Sequence, residues 1–150
     1  MLKVIYQPKG RAAEYSPWAA NLYRGCGHRC LYCYAPSALQ MPRDEFHKPT
    51  PRVGIIDKLT KDCAELKAKG EFHKVLFCFS CDPYQPINDQ FQLTRQAIEV
   101  LHFNGQLVSI LTKGGHRALA DLPLLKTGDE FAVTLTCTDD ALSRQWEPGA

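Results

Sequence analysis

The sequence predicts an α/β fold with a parallel sheet, laid out as a partial parallel (β/α) barrel of about four β/α units. Three observations carry this. Continuous apolar runs, Val75 to Cys81 and Leu107 to Leu111, read as strands buried on both faces. Between them lie stretches whose apolar residues recur every three to four positions, as on one face of a helix. Length sets the count: an eight-unit barrel takes roughly 250 residues, so one domain of 150 residues holds about half of one.

The elements follow in order. Residues 1–18 are polar and irregular, with Pro17 beside Trp18, and read as a lead-in rather than a strand. Asn21-Leu22-Tyr23-Arg24 reads as a short strand feeding Gly25-Cys26. Residues 34–51 carry Pro36, Pro42, Pro49 and Pro51, and read as loop with at most a helical turn. Ile55, Ile56, Leu59, Cys63 and Leu66 mark a helix ending at Gly70, with Cys63 on its apolar face and therefore in the core. After the Val75–Cys81 strand, Asp82-Pro83-Tyr84-Gln85-Pro86 makes a turn. A helix follows, with Leu93, Ala97, Val100 and Leu101 on one face and Gly105 as its stop. The Leu107–Leu111 strand runs into Thr112-Lys113-Gly114-Gly115. A short helix over Asp121–Lys126, a strand over Phe131–Thr136 and a helix over Asp139–Gln145 capped by Thr138 complete the chain.

Composition narrows the function classes. No run of about 18 apolar residues occurs, so no membrane-spanning helix is expected. The stretch Met1–Gln7 lacks the apolar centre of a signal peptide. Seven cysteines in such a chain point to metal or redox chemistry in a cytoplasmic setting rather than to a disulfide framework. The net charge of +2 is unevenly spread: residues 1–52 carry eight Lys/Arg against three Asp/Glu, and residues 53–150 ten against thirteen. A basic N-terminal third can face phosphates.

The chemistry centres on Cys26-Gly27-His28-Arg29-Cys30-Leu31-Tyr32-Cys33, a C-x3-C-x2-C array. Three thiolates this close can hold three corners of a [4Fe–4S] cube, which usually takes four. One iron is then left to bind a small molecule. Gly25 and Gly27 let the backbone approach a bulky group. Zinc is the rival. Structural zinc wants four ligands, commonly C-x2-C pairs, and His28 inside the C-x3-C loop is badly placed to be the fourth.

In parallel α/β folds, ligands gather at the carboxyl ends of strands. Those ends carry the cysteine loop, Ser80-Cys81-Asp82-Pro83-Tyr84, Thr112-Lys113-Gly114-Gly115 and Thr134-Leu135-Thr136-Cys137. They offer a cation for a carboxylate, and hydroxyl or carboxylate groups for an ammonium. Asp82 before a proline is also a turn former.

With Tyr32 before its third cysteine, the array resembles the radical S-adenosylmethionine (SAM) signature, C-x3-C-x-aromatic-C. The stretches Asn21-Leu22-Tyr23-Arg24-Gly25-Cys26, Cys30-Leu31-Tyr32-Cys33-Tyr34-Ala35, Asp82-Pro83-Tyr84-Gln85-Pro86, Leu93-Thr94-Arg95 and Ile110-Leu111-Thr112-Lys113 resemble the spore photoproduct lyase-like (DNA repair photolyase-like) branch. The similarity runs from about residue 16 to the C-terminus.

The resemblance implies the N-terminal part of a radical SAM core: the chain is then a fragment of a longer one, or a second chain or second copy completes the barrel, or the fold differs. It implies a [4Fe–4S] cluster on Cys26, Cys30 and Cys33. It implies SAM as cofactor, cleaved reductively to a 5'-deoxyadenosyl radical with electrons from a donor such as flavodoxin or ferredoxin. Tyr32 and Tyr34 would contact the adenosyl part and Lys113 the SAM carboxylate. Cys81 would lie near the methionyl end, as the candidate catalytic thiol, and Thr136 would supply a hydroxyl. DNA is a candidate substrate. Thymine-dimer repair is not implied, because the position of the lyase's hydrogen-donor cysteine is Phe79 here. Two alternatives remain: a cluster-binding module that needs a partner, and a zinc-binding protein.

Overall fold

The computed structural model describes the backbone of residues 1–150 and every side chain except those of residues 11 and 12. In chain order its strands and helices are β1 (Ala19–Ala20), β2 (Tyr23–Arg24), α1 (Ala35–Ala38), α2 (Arg43–Phe46), β3 (Thr50–Pro51), α3 (Ile55–Ala68), β4 (Lys74–Phe77), α4 (Asn88–Phe91), α5 (Leu93–Phe103), β5 (Leu107–Thr112), α6 (Gly115–Ala118), β6 (Glu130–Val133) and α7 (Asp140–Trp146). A four-stranded sheet has the order β1-β4-β5-β6, with every neighbouring pair parallel. The α/β class with a parallel sheet therefore stands.

The two long helices form as the sequence pattern requires. Ile55, Leu59, Cys63 and Leu66 of α3 and Leu93, Ala97, Ile98 and Leu101 of α5 are buried. They join Val75 and Phe77 of β4 and Val108 and Ile110 of β5 in one apolar core. Cys63 is fully buried there, as expected. Strand alternation puts Leu76, Ser109 and Leu111 on the other sheet face.

Several boundaries differ, each for a local reason. The sheet strand before the cysteines is Ala19–Ala20, not Asn21–Arg24. Tyr23 and Arg24 turn away to pair antiparallel with Pro51 and Thr50. The β4 strand stops at Phe77 because Cys78 takes φ +62°, outside the extended region. Its N–H still reaches Ala20 O at 2.8 Å. The helix expected over Asp121–Lys126 is only a 3-10 turn, Leu122–Leu124, and an unexpected helical turn, α6, begins at Gly115. The β6 strand ends at Val133, so Thr134 and Thr136 lie beyond it. Asp139, not Thr138, caps α7, its carboxylate accepting from Leu142 N at 2.8 Å. The proline-rich stretch forms two helical turns, α1 and α2, and the short strand β3. The lead-in is tied down: Tyr6 bridges Ala19, and the Asp62 carboxylate on α3 accepts from the backbone N–H groups of Lys3, Val4 and Ile5.

Candidate cofactor-binding site

The cysteine loop leaves β2 through Gly25, whose φ is +82°. A Cβ there would stand 2.4 Å from Phe46 O. Only glycine meets both demands. The loop is then braced from outside. Cys26 N–H donates to Phe46 O at 2.8 Å. The Arg43 guanidinium donates to the carbonyls of Cys33 at 2.9 Å and Cys30 at 3.3 Å. The fully buried Gln85 takes Gly27 N–H on Oε1 at 2.8 Å and donates Nε2 to Gly25 O at 3.3 Å.

Asp82 fixes the next two strand ends to each other. One carboxylate oxygen accepts from Tyr84 N–H at 2.8 Å and from the Thr112 hydroxyl at 2.6 Å. The other accepts from Lys113 N–H at 2.8 Å. The Asx turn expected of Asp82 is present, but the clasp onto Thr112 and Lys113 is the larger role. Close contact completes it: a Cβ on Gly114 would lie 2.4 Å from Tyr84 O.

These braces surround a cavity of about 130 Å³ lined by Cys26, Cys30 and Cys33, with Tyr34, Cys81 and Lys113. All seven cysteines are free. Burial pushes the Cys30 thiol up to about 11 and Cys26 higher still. A hydrogen bond with Cys78, reinforced by burial, holds Cys81 well above the ordinary thiol range. Cys81 therefore keeps its proton near neutrality, donating weakly to Tyr23 O at 3.6 Å. His28 is buried in the loop, 3.5 Å from Asp82, and neither ring nitrogen has a hydrogen-bond partner among the described residues. Burial lowers its pKa, keeping the ring neutral.

The residues fit a sulfur-ligated group. The donors are three thiols around one cavity, the approach to Gly25 admits no side chain, and an unpartnered imidazole borders the space. Buried thiols that resist ionisation are deprotonated by a bound metal. Among the described residues, no three His, Cys, Asp or Glu side chains gather tightly enough for a single metal ion.

Beside this cavity, three expected residues meet at a carboxylate. Lys113 Nζ lies 2.8 Å from Glu147 Oε1 and 3.1 Å from Thr136 Oγ1. The Thr136 hydroxyl reaches Glu147 Oε1 at 2.7 Å, the Tyr32 hydroxyl bonds the same oxygen, and the Lys113 ammonium lies 5.4 Å from the centre of the Tyr32 ring. Tyr34 stays apart from this group, its ring exposed at the cysteine cavity. The segment bearing Glu147 docks on the cysteine loop, with Leu31 N–H donating to Trp146 O and Gly149 N–H to His28 O, each at 2.9 Å. Arg43 and Glu147 have no counterpart in the sequence reading, and Gln85 stands there only as part of the Asp82–Pro86 stretch, without a role. Their bonds to the cysteine loop follow no regular spacing.

Uncharacterized proteins of Mycobacterium tuberculosis and Mycobacterium bovis are 29% identical to this chain over 145 residues, covering 88% of it and 41% of their own length. An uncharacterized protein of Methanocaldococcus jannaschii is 30% identical over 119 residues, covering 79% of this chain and 43% of its own. The chain thus spans about two fifths of the length of the curated relatives it matches. No family model and no solved structure matches it. Among the described residues, no helix is long and apolar enough to cross a membrane.

Proposed function

We propose that this chain carries the cofactor-binding part of a radical SAM protein. Cys26, Cys30 and Cys33 hold a [4Fe–4S] cluster, and Lys113, Tyr32, Tyr34, Thr136 and Cys81 line the place for SAM. One observation carries the reading: Lys113 borders the three-cysteine cavity and at the same time joins Tyr32 and Thr136 in gripping a carboxylate. A ligand that chelates metal through a carboxylate needs both features side by side. When bound, the cluster supplies the electron that cleaves SAM to methionine and a 5'-deoxyadenosyl radical, drawn from a donor such as flavodoxin or ferredoxin.

The chain's own groups have defined tasks. Lys113 neutralises the carboxylate, and the Tyr32 and Thr136 hydroxyls orient it. Arg43 and Gln85 fix the loop that bears the thiols. Cys81 presents an intact S–H to the same cavity. The sheet order β1-β4-β5-β6 adds each later strand on the same side, without the reversal of a doubly wound sheet. That favours a sector of a barrel, completed by further strands from a longer chain, a second copy or a partner.

Anaerobic reconstitution with iron and sulfide, followed by assay of 5'-deoxyadenosine under dithionite, tests the proposal. The expected result is a cluster near stoichiometric iron and SAM cleavage. Cys30→Ala should lose both. A Cys30→Ala protein with full iron content, or bound zinc in place of iron, would sink the cluster assignment. A stable cluster that never cleaves SAM would reduce the chain to a binding module awaiting its partner.

A further inference from the structure

The basic N-terminal third encloses a second cavity, of about 520 Å³, between the lead-in, the β2–β3 ribbon and the first turn of α3. Its walls carry Lys3, Arg24, Arg52 and Lys58, and no carboxylate. Arg24 pairs with Glu45 at 2.8 Å, both largely exposed. Lys3, Arg52 and Lys58 enter no ion pair among the described residues.

Two of these cations are positioned by the backbone. Arg52 Nε donates to Tyr23 O at 3.2 Å and Lys58 Nζ to Val53 O at 2.8 Å. Like charges held around one concavity repel, and the concave wall concentrates their field, so the arrangement favours an anion. The cations outnumber what one phosphoryl group neutralises, and the volume is that of a small-molecule site. We propose that this cavity binds a ligand bearing two or more phosphoryl groups, at a site distinct from the cysteine-lined cavity.

The two cavities are linked by Asn21. Its amide donates to the Tyr6 hydroxyl at 2.7 Å on the basic wall, and its oxygen accepts from Ser80 N and Oγ at 3.1 and 3.0 Å beside the cysteines. Phosphate oxygens of this chemistry come from a free di- or triphosphate or from the backbone of a single nucleic-acid strand.

The test is calorimetric titration of the full chain with pyrophosphate and with a short single-stranded oligonucleotide, in chloride buffer. It needs no cluster, so its result is independent of the cofactor assignment. The paired change Lys3→Gln and Lys58→Gln should weaken binding by at least about tenfold, and Lys126→Gln, at an exposed lysine elsewhere, should leave it unchanged. Tighter binding of the oligonucleotide, with log K falling by about 0.7 per phosphate contact for each tenfold rise in salt, identifies the ligand as a strand. Equal or tighter binding of pyrophosphate identifies a free di- or triphosphate. Absence of binding by either probe at millimolar concentration, or unchanged binding by the double variant, overturns the proposal.

Discussion

The Lys113 ammonium stands 2.8 Å from the carboxylate of Glu147. Tyr32 and Thr136 bond the same carboxylate oxygen. Burial pushes the Glu147 carboxyl up, while the lysine beside it favours the ionised form. Glu147 thus occupies the place the proposed function gives to the SAM carboxylate. On that reading an incoming carboxylate would compete with Glu147 for Lys113.

Glu147→Gln should therefore tighten SAM binding severalfold in the reconstituted protein. Lys113→Met should weaken it by tenfold or more, since a charge-assisted hydrogen bond contributes about 1.5–3 kcal/mol. Equilibrium dialysis with labelled SAM reads both. Equal affinities in the two variants would remove Lys113 from the site.

Gln85→Leu should loosen the cysteine loop. It leaves the half-buried Gly27 N–H and the buried Gly25 O without the partner they share. Each unsatisfied buried group costs about 1–3 kcal/mol. Urea unfolding should show the loss, and iron retention after reconstitution should fall with it.

Gly25→Ala should be more damaging than an ordinary surface change. The new methyl would meet Phe46 O at 2.4 Å, in a backbone conformation that alanine disfavours. Most of the variant should fail to take up iron even where circular dichroism shows the helices intact.

Cys63 gives a pH dependence with a definite sign. Burial, helped by the neighbouring Asp62, raises its thiol to about 12, against an unfolded value of about 8.5. A raised folded pKa means the contribution is complete below the unfolded value and is lost as pH rises towards the folded one. Cys63→Ala should lower stability at pH 7 by about 1 kcal/mol. It should also flatten the decline between about pH 8.5 and about 12, while cluster loading stays unchanged. A lost cluster would show that Cys63 is a ligand rather than part of the core.

Much of this architecture was legible in the residues. The helix period in Ile55–Leu66 and Leu93–Leu101 and the apolar runs at Val75 and Leu107 are local signals, and the elements form where those signals lie. The ends of strands were not legible. Cys78 reads as a strand residue by side chain, yet the chain turns there to form the site. Gly115 reads as the end of a polar strand mouth, yet it opens a helical turn beneath Val133. Of the site, the thiols and Lys113 stood out by spacing and position. The bracing roles of Gln85 and Arg43 did not, because a side chain that bonds backbone in another loop leaves no periodic trace.

The β1 strand has a consequence for how the molecule assembles. It joins the sheet through only two residue pairs, Ala19 with Leu76 and Ala20 with Phe77, whereas β4 and β5 pair through four across a much shorter crossover. Closing the shorter loop costs less chain entropy, so the β4–α4–α5–β5 unit is expected to form before β1 docks. The N-terminal third docks on it afterwards. With that order, the three thiols of the cysteine loop should stay in solvent until docking, open to oxidants and to metal donors alike. On the proposed cluster assignment, loading becomes a race set by folding order: a chain whose β1 docks slowly should arrive at its finished shape with disulfides in place of metal.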